Sequence, residues 1–119
     1  MGLPAGAIAP FVGTWGMRYS QHAQAAAEND RYGRMELLPR ETIAAHNVVE
    51  VEVVDGKASK AVVRLAYDAD VDIIIVMNRP IAGTAFVKTV WFNSAHDKHG
   101  TLKRELISRP TAADFRNDY

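Results

Sequence analysis

Residues 87–102 read VKTVWFNSAHDKHGTL and hold most of the reactive side chains of this chain. Lys88 stands inside an apolar, β-branched run, His96 and His99 follow with Asp97 between them, and Thr101 and Arg104 come just after. These residue types fit cleavage of RNA by its own 2′-hydroxyl. That reaction needs a base near neutral pKa for the 2′ proton, a cation for the phosphorane charge, and an acid for the leaving 5′ oxygen. Histidine suits both proton transfers, and lysine or arginine suits the charge. In this reading His99 is the preferred proton-transfer residue, with His22 or His96 as its partner. Lys88 and Arg104 steady the phosphate charge, while Thr101 and Asn93 bind phosphate oxygens. His22 joins the set if the first helix packs across the sheet.

Other readings of the same residues stay open. A lysine in a strand can lay its stem over apolar surface and keep its ammonium in water. Histidines in a polar loop are commonly solvated. If HDKHG formed a helical turn, His96 and His99 would share a face and suit a metal, with a carboxylate from elsewhere. The flanking NSA and Gly100 read as loop, so no metal and no cofactor is expected.

Bulk properties bound the function. The chain has 119 residues, with 48% apolar and 24% charged, which suits one soluble domain with a modest core. Fourteen basic residues balance fourteen acidic ones, which argues against a broad basic surface for duplex DNA. The absence of cysteine excludes disulfides, thiolate metal sites and a cysteine nucleophile. VDIIIVM is the longest apolar run and has the length of a strand, so no membrane insertion is expected.

The elements that must position these groups follow from pattern. Residues 1–17 hold no charged side chain and are rich in glycine and proline, so they read as an extended apolar arm carrying Phe11 and Trp15. Packing of that arm on its own domain and packing on a neighbour are both open. Ser20 caps a helix through about Asn29, with Gly33 as its stop. RMELLP reads as a short strand and RETIAAH as one or two helical turns. VVEVEVV alternates valine with glutamate, which predicts one buried and one wet face. Asp55-Gly56 then predicts a type I′ hairpin into KASKAVVRLAY. VDIIIVM is a central strand, NRPIAGT a longer connection, and AFVKTVWF the fourth strand, with Lys88 sharing a face with Phe86, Val90 and Phe92. A turn or short helix is expected around TLKREL, then a tail from residue 110. The sum is an α+β domain over residues 18–109: a short N-terminal helix, or two, on a four-stranded antiparallel meander.

The segments YSQHAQAAAENDRYG, VVEVEVVDGKASKAVVRLAYDADVDIIIVM and VKTVWFNSAHDKHGTL resemble a group of small proteins of tailed bacteriophages and prophages. The resemblance covers about residues 18–109, and VKTVW with Asp97, His99 and Thr101 is its most specific part. At the level of layout the chain is also similar to the RelE, colicin and EndoU group of metal-independent ribonucleases. The phage group continues with an acidic residue and a tyrosine. Here Lys103 replaces the acid and the next tyrosine is Tyr119, which implies a weakened or non-catalytic member.

The resemblance implies location in the host bacterial cytoplasm or the phage particle. LPAGAIAPF is similar to the glycine- and proline-rich arms of phage tail and collar proteins, which supports a second expectation. In that one the protein is a non-enzymatic virion component or host-factor-binding protein, with Phe11 and Trp15 gripping a neighbour. RNA is the expected partner of the enzyme. Phage or host proteins, or further copies of the chain, are the expected partners of the structural component.

Overall fold

The computed structural model describes residues 5–30, 32–95 and 105–109. The fold is α+β, and the meander stands where the alternating pattern puts it. Strands β3 (Val48–Val54), β4 (Lys57–Ala66), β5 (Val71–Asn78) and β6 (Thr84–Ser94) are consecutive antiparallel neighbours. Asp55 and Gly56 both take positive φ, 51° and 79°, the backbone of the expected type I′ turn. A second tight turn joins β5 to β6. Ile81 and Thr84 exchange both backbone hydrogen bonds around Ala82 and Gly83, whose φ values are 51° and 80°. NRPIAGT therefore holds a hairpin turn that was expected as a longer loop, because alanine is a rare occupant of the left-handed region.

The sheet is larger than a four-stranded meander. Among the described residues it has seven strands in the order β2-β1-β6-β5-β4-β3-β7, adding β1 (Gly13–Tyr19), β2 (Arg40–Ile43) and β7 (Glu105–Arg109). β1 runs parallel to β6, β2 is antiparallel to β1, and β7 is parallel to β3. RETI thus forms a strand in place of helical turns, followed by a 3-10 turn at Ala45–Asn47, and RMELLP supplies no strand. Residues 105 and 106 of TLKREL belong to β7. Residues 101–104 and the tail 110–119 lie outside the described residues.

The arm is also corrected. Residues 5–11 form a one-turn helix, α1 (Ala5–Ile8), and a 3-10 turn, and β1 then enters the sheet, so the boundary at residue 17 falls inside a strand. Phe11 is fully buried in the main core. Trp15 packs against that core, and its indole N–H donates to the Phe11 carbonyl at 3.0 Å. These two anchors fill the chain's own interior, because a glycine-rich segment still forms a strand when a paired neighbour supplies its hydrogen bonds.

Both faces of the meander are buried. One carries the main core, with rows such as Leu65, Ile73 and Phe92 across β4, β5 and β6. The other holds Val49, Val62, Ile74 and Val76, with Trp91 packed against them. Glu50 and Glu52 stand on this second face and are only 7% and 2% exposed, so the expected wet face of VVEVEVV is buried too. Glu52 is paired in register with Lys60 and forms an ion pair with it at 3.1 Å.

A buried pair is costly to break from one side, because the remaining charge stays in low dielectric. Lys60→Ala is expected to lower stability by about 3–5 kcal/mol. The double substitution Glu52→Leu with Lys60→Met is expected to recover most of that loss. Urea unfolding of the two variants beside the parent checks this. Equal stability of parent and Lys60→Ala would show that the pair does not hold the hairpin.

Candidate functional site

The geometry around Lys88 follows from a shortage of strand. β1 pairs with β6 from Gly16–Thr84 to Tyr19–Val87 and then ends. From Lys88 onward that edge of β6 needs other partners for its backbone. Helix α2 (Gln21–Glu28) takes the place of a strand. Ser20 donates its backbone N–H to the Val87 carbonyl at 3.0 Å and its hydroxyl to the Lys88 carbonyl at 2.9 Å. The same hydroxyl accepts the Ala23 N–H at 3.0 Å, capping the helix as its sequence predicts. At the far end Asp30 accepts the Phe92 N–H at 3.0 Å. Eight helical residues span about 12 Å, and Lys88 to Phe92 spans about 13 Å, so helix and strand edge match in length. Ala23 and Ala27 are buried under this contact, where small side chains let the helix approach closely. The helix ends at Glu28 with Asn29 as its C-cap, ahead of the expected stop at Gly33.

Lys88 is the extra residue of a β-bulge. The register runs Val76–Thr89 and then Met77–Val87. Val87 and Val90 both point into the core, while Phe86 and Lys88 are exposed. The expected shared face of Phe86, Lys88, Val90 and Phe92 is therefore broken in its middle. Arg18 on β1 is in register with Phe86 and is also exposed. His22 stands in the first turn of α2, two residues after the serine that grips Lys88, and is exposed. Exposed Arg18, Phe86 and Lys88 thus stand close together on β1 and β6, and the first turn of α2, which carries His22, is tied to the Lys88 backbone through Ser20. The backbone dipole at that helix N-terminus favours an anion.

The other expected site residues are placed differently. Asn93 is 6% exposed, paired in register with Asp72, and its Nδ2 has no hydrogen-bond partner among the described residues. It lies five residues beyond Lys88, beside an ion pair between Arg64 and Asp72 at 2.5 Å; Arg64 also donates to the Ser94 carbonyl at 2.8 Å. His96, His99, Thr101 and Arg104 lie outside the described residues. Phe11 and Trp15 serve the core, as shown above. Arg18, Phe86 and Asp30 were not legible as site residues. Only the parallel register of β1 with β6 brings the first two together, and Asp30 reads as an ordinary loop acid.

A separate cleft opens on the main-core face. It measures about 250 Å³ and is lined by Glu36, Leu38, Glu41, Leu65, Tyr67 and Ile73, among others. Glu41 belongs to β2 and Leu65 to β4, with three strands between them in the sheet order, so the sheet curls to bring both to one opening. Burial pushes the Glu41 carboxyl above its ordinary pKa. Burial, and then the Glu41 charge, push the Tyr19 phenol up to about 12. That phenol donates to the Leu38 carbonyl at 2.6 Å.

Two outcomes are expected of this local chemistry. Asp30→Ala leaves the Phe92 N–H without its acceptor and is expected to cost about 1–3 kcal/mol. Hydrogen exchange at the Phe92 amide and urea unfolding measure it, and unchanged protection would mean that α2 is held without this contact. For Glu41, the folded state holds its proton to higher pH than the unfolded state. Stability therefore falls as pH rises from the ordinary carboxyl pKa through the raised one. Glu41→Gln is expected to raise the melting temperature at neutral pH and flatten its dependence across that window. An identical pH profile in the variant would refute the assignment.

No family model, curated protein or solved structure matches this chain.

Proposed function

We propose that the surface at the α2 N-terminus and the β6 bulge binds RNA, and that the protein is a metal-independent endoribonuclease. The observation that carries this reading is the Ser20 link. It fixes the start of α2 to the backbone of Lys88, two residues ahead of His22, which supports pairing this histidine with the strand lysine. Lys88 and Arg18 supply positive charge for a phosphate, the helix N-terminus adds to it, and Phe86 offers an aromatic face for base stacking. His22 is one proton-transfer group. His99 or His96, with Arg104 and Thr101, completes the set proposed from sequence, and Asn93, buried in the sheet, is left out of it. A compact patch of this kind suits a chain with no net charge, because few phosphates need be engaged at once.

The second reading is a non-enzymatic phage particle component or host-factor-binding protein. The burial of Phe11 in the chain's own core removes the arm as its motive. The exposed Phe86 surface serves it equally well.

Cleavage of end-labelled RNA by purified parent, His22→Ala, Lys88→Ala and His99→Ala, each with and without EDTA, separates the readings. Lys88→Ala and His99→Ala are expected to lower the rate by about 10² or more with folding intact. Phe86→Ala is expected to weaken RNA binding by roughly tenfold, the scale of one stacked base. Loss of cleavage in EDTA would overturn the mechanism. Binding that depends on Lys88 and Phe86 but yields no cleavage would leave an RNA-binding protein. Absence of RNA binding would leave the second reading.

A further inference from the structure

Among the described residues, the cleft between β2 and the end of β4 is lined by two carboxylates and no cation. Glu36 and Glu41 line it, and neither makes an ion pair among the described residues. Its floor is apolar, from Leu65 and Ile73, with Leu38 beside them. Its wall is the ring of Tyr67, held at 57° against Phe92 with the centroids 4.7 Å apart. Tyr67 is 49% exposed at the opening. Glu41 is half-buried with no cation beside it among the described residues, and its burial raises its carboxyl.

We propose that this cleft binds a small organic cation, an alkylammonium or guanidinium group on a short apolar stem. The charge would sit between Glu41 and Glu36, over the electron-rich face of Tyr67, and the stem would lie on Leu65 and Ile73. The volume, about 250 Å³, falls below the range usual for drug-sized ligands, so the occupant is a small amine or a single side chain. A hard divalent cation fits poorly, because it requires about six oxygen ligands and the floor offers none. The same head group can come from a free amine or from a lysine or arginine of a peptide, and the experiment distinguishes them. This inference is independent of the RNA reading, since His22, Lys88, Arg18 and Phe86 do not line the cleft.

Calorimetric titration with agmatine, with putrescine, with neutral 1,4-butanediol and with a short arginine-containing peptide tests it. Both amines are expected to bind and the diol is not. Glu41→Gln is expected to weaken amine binding about tenfold, the loss of one charge-assisted contact. Tyr67→Leu is expected to weaken it by less, while ligand-induced shifts of the Leu65 and Ile73 methyl resonances locate the site in the parent. Tighter binding of the peptide than of the free amines would assign the cleft to a protein side chain, and the reverse to a metabolite. Glu41→Gln should fold, since it removes a half-buried charge, and its RNA binding should be unchanged. No binding of any cation, equal binding of the diol, or unaltered affinity in Glu41→Gln would overturn the proposal.

Discussion

The backbone of β6 beyond Val87 has to be hydrogen-bonded, and β1 is too short to do it. An unpaired sheet edge at the centre of a domain would bury bare N–H and C=O groups. The chain meets this constraint with two side chains. Ser20 reaches the Lys88 carbonyl, and Asp30 takes the Phe92 N–H. Helix α2 is the spacer that sets these two groups the right distance apart. Its alanines are then the residues that can lie against a strand without holding it away. The anchoring of the α2 N-terminus, with His22 in its first turn, at the Lys88 backbone is a by-product of this edge repair, as is the turn from β1 into the segment that leads on to β2.

The second constraint is that both faces of the meander are buried. A sheet with one wet face tolerates glutamates freely. One with two buried faces must pair them, and Glu52 with Lys60 across the hairpin does so. Arg64 with Asp72 repeats the device on β4 and β5. Both pairs are cross-strand pairs or close to it, so they specify register as well as neutralise charge. A slip of one residue in β3 would set Glu50 and Glu52 into the main core and the valines opposite them on the second face.

Local pattern carried the meander, the Asp55-Gly56 turn and the Ser20 cap, because each is decided within a few residues. Three features were illegible for a common reason: their cause is a partner distant in sequence. RETI is a strand because β1 lies beside it. The glycine-rich stretch before Arg18 is a strand because β6 and β2 flank it. Glu50 and Glu52 are buried because the second face is covered, which alternation alone cannot reveal. The Ala82-Gly83 turn was hidden differently, since alanine gives no sign of positive φ. In the candidate site, His22 and Lys88 were legible by residue type, while the Ser20 link that ties the start of their helix and strand together was not. Arg18 and Phe86 became site residues only through parallel register.

The bulge at Lys88 joins these constraints. Two interior rows must be filled by β6: Ala85 and Val87 beside β1, and Val90 and Phe92 beside α2. Strict alternation cannot serve both, because the first pair has odd numbers and the second even. One additional residue resolves the parity, and it must sit where β1 ends and α2 begins. An extra residue in a strand leaves its own carbonyl without a ladder partner, and the Lys88 carbonyl is the group that Ser20 binds. A lysine tolerates the position because its side chain is released from both rows into solvent. The exposed cation in the middle of an apolar strand thus follows from packing before any function is considered, and the chemistry proposed for it uses a position that the fold had already made available.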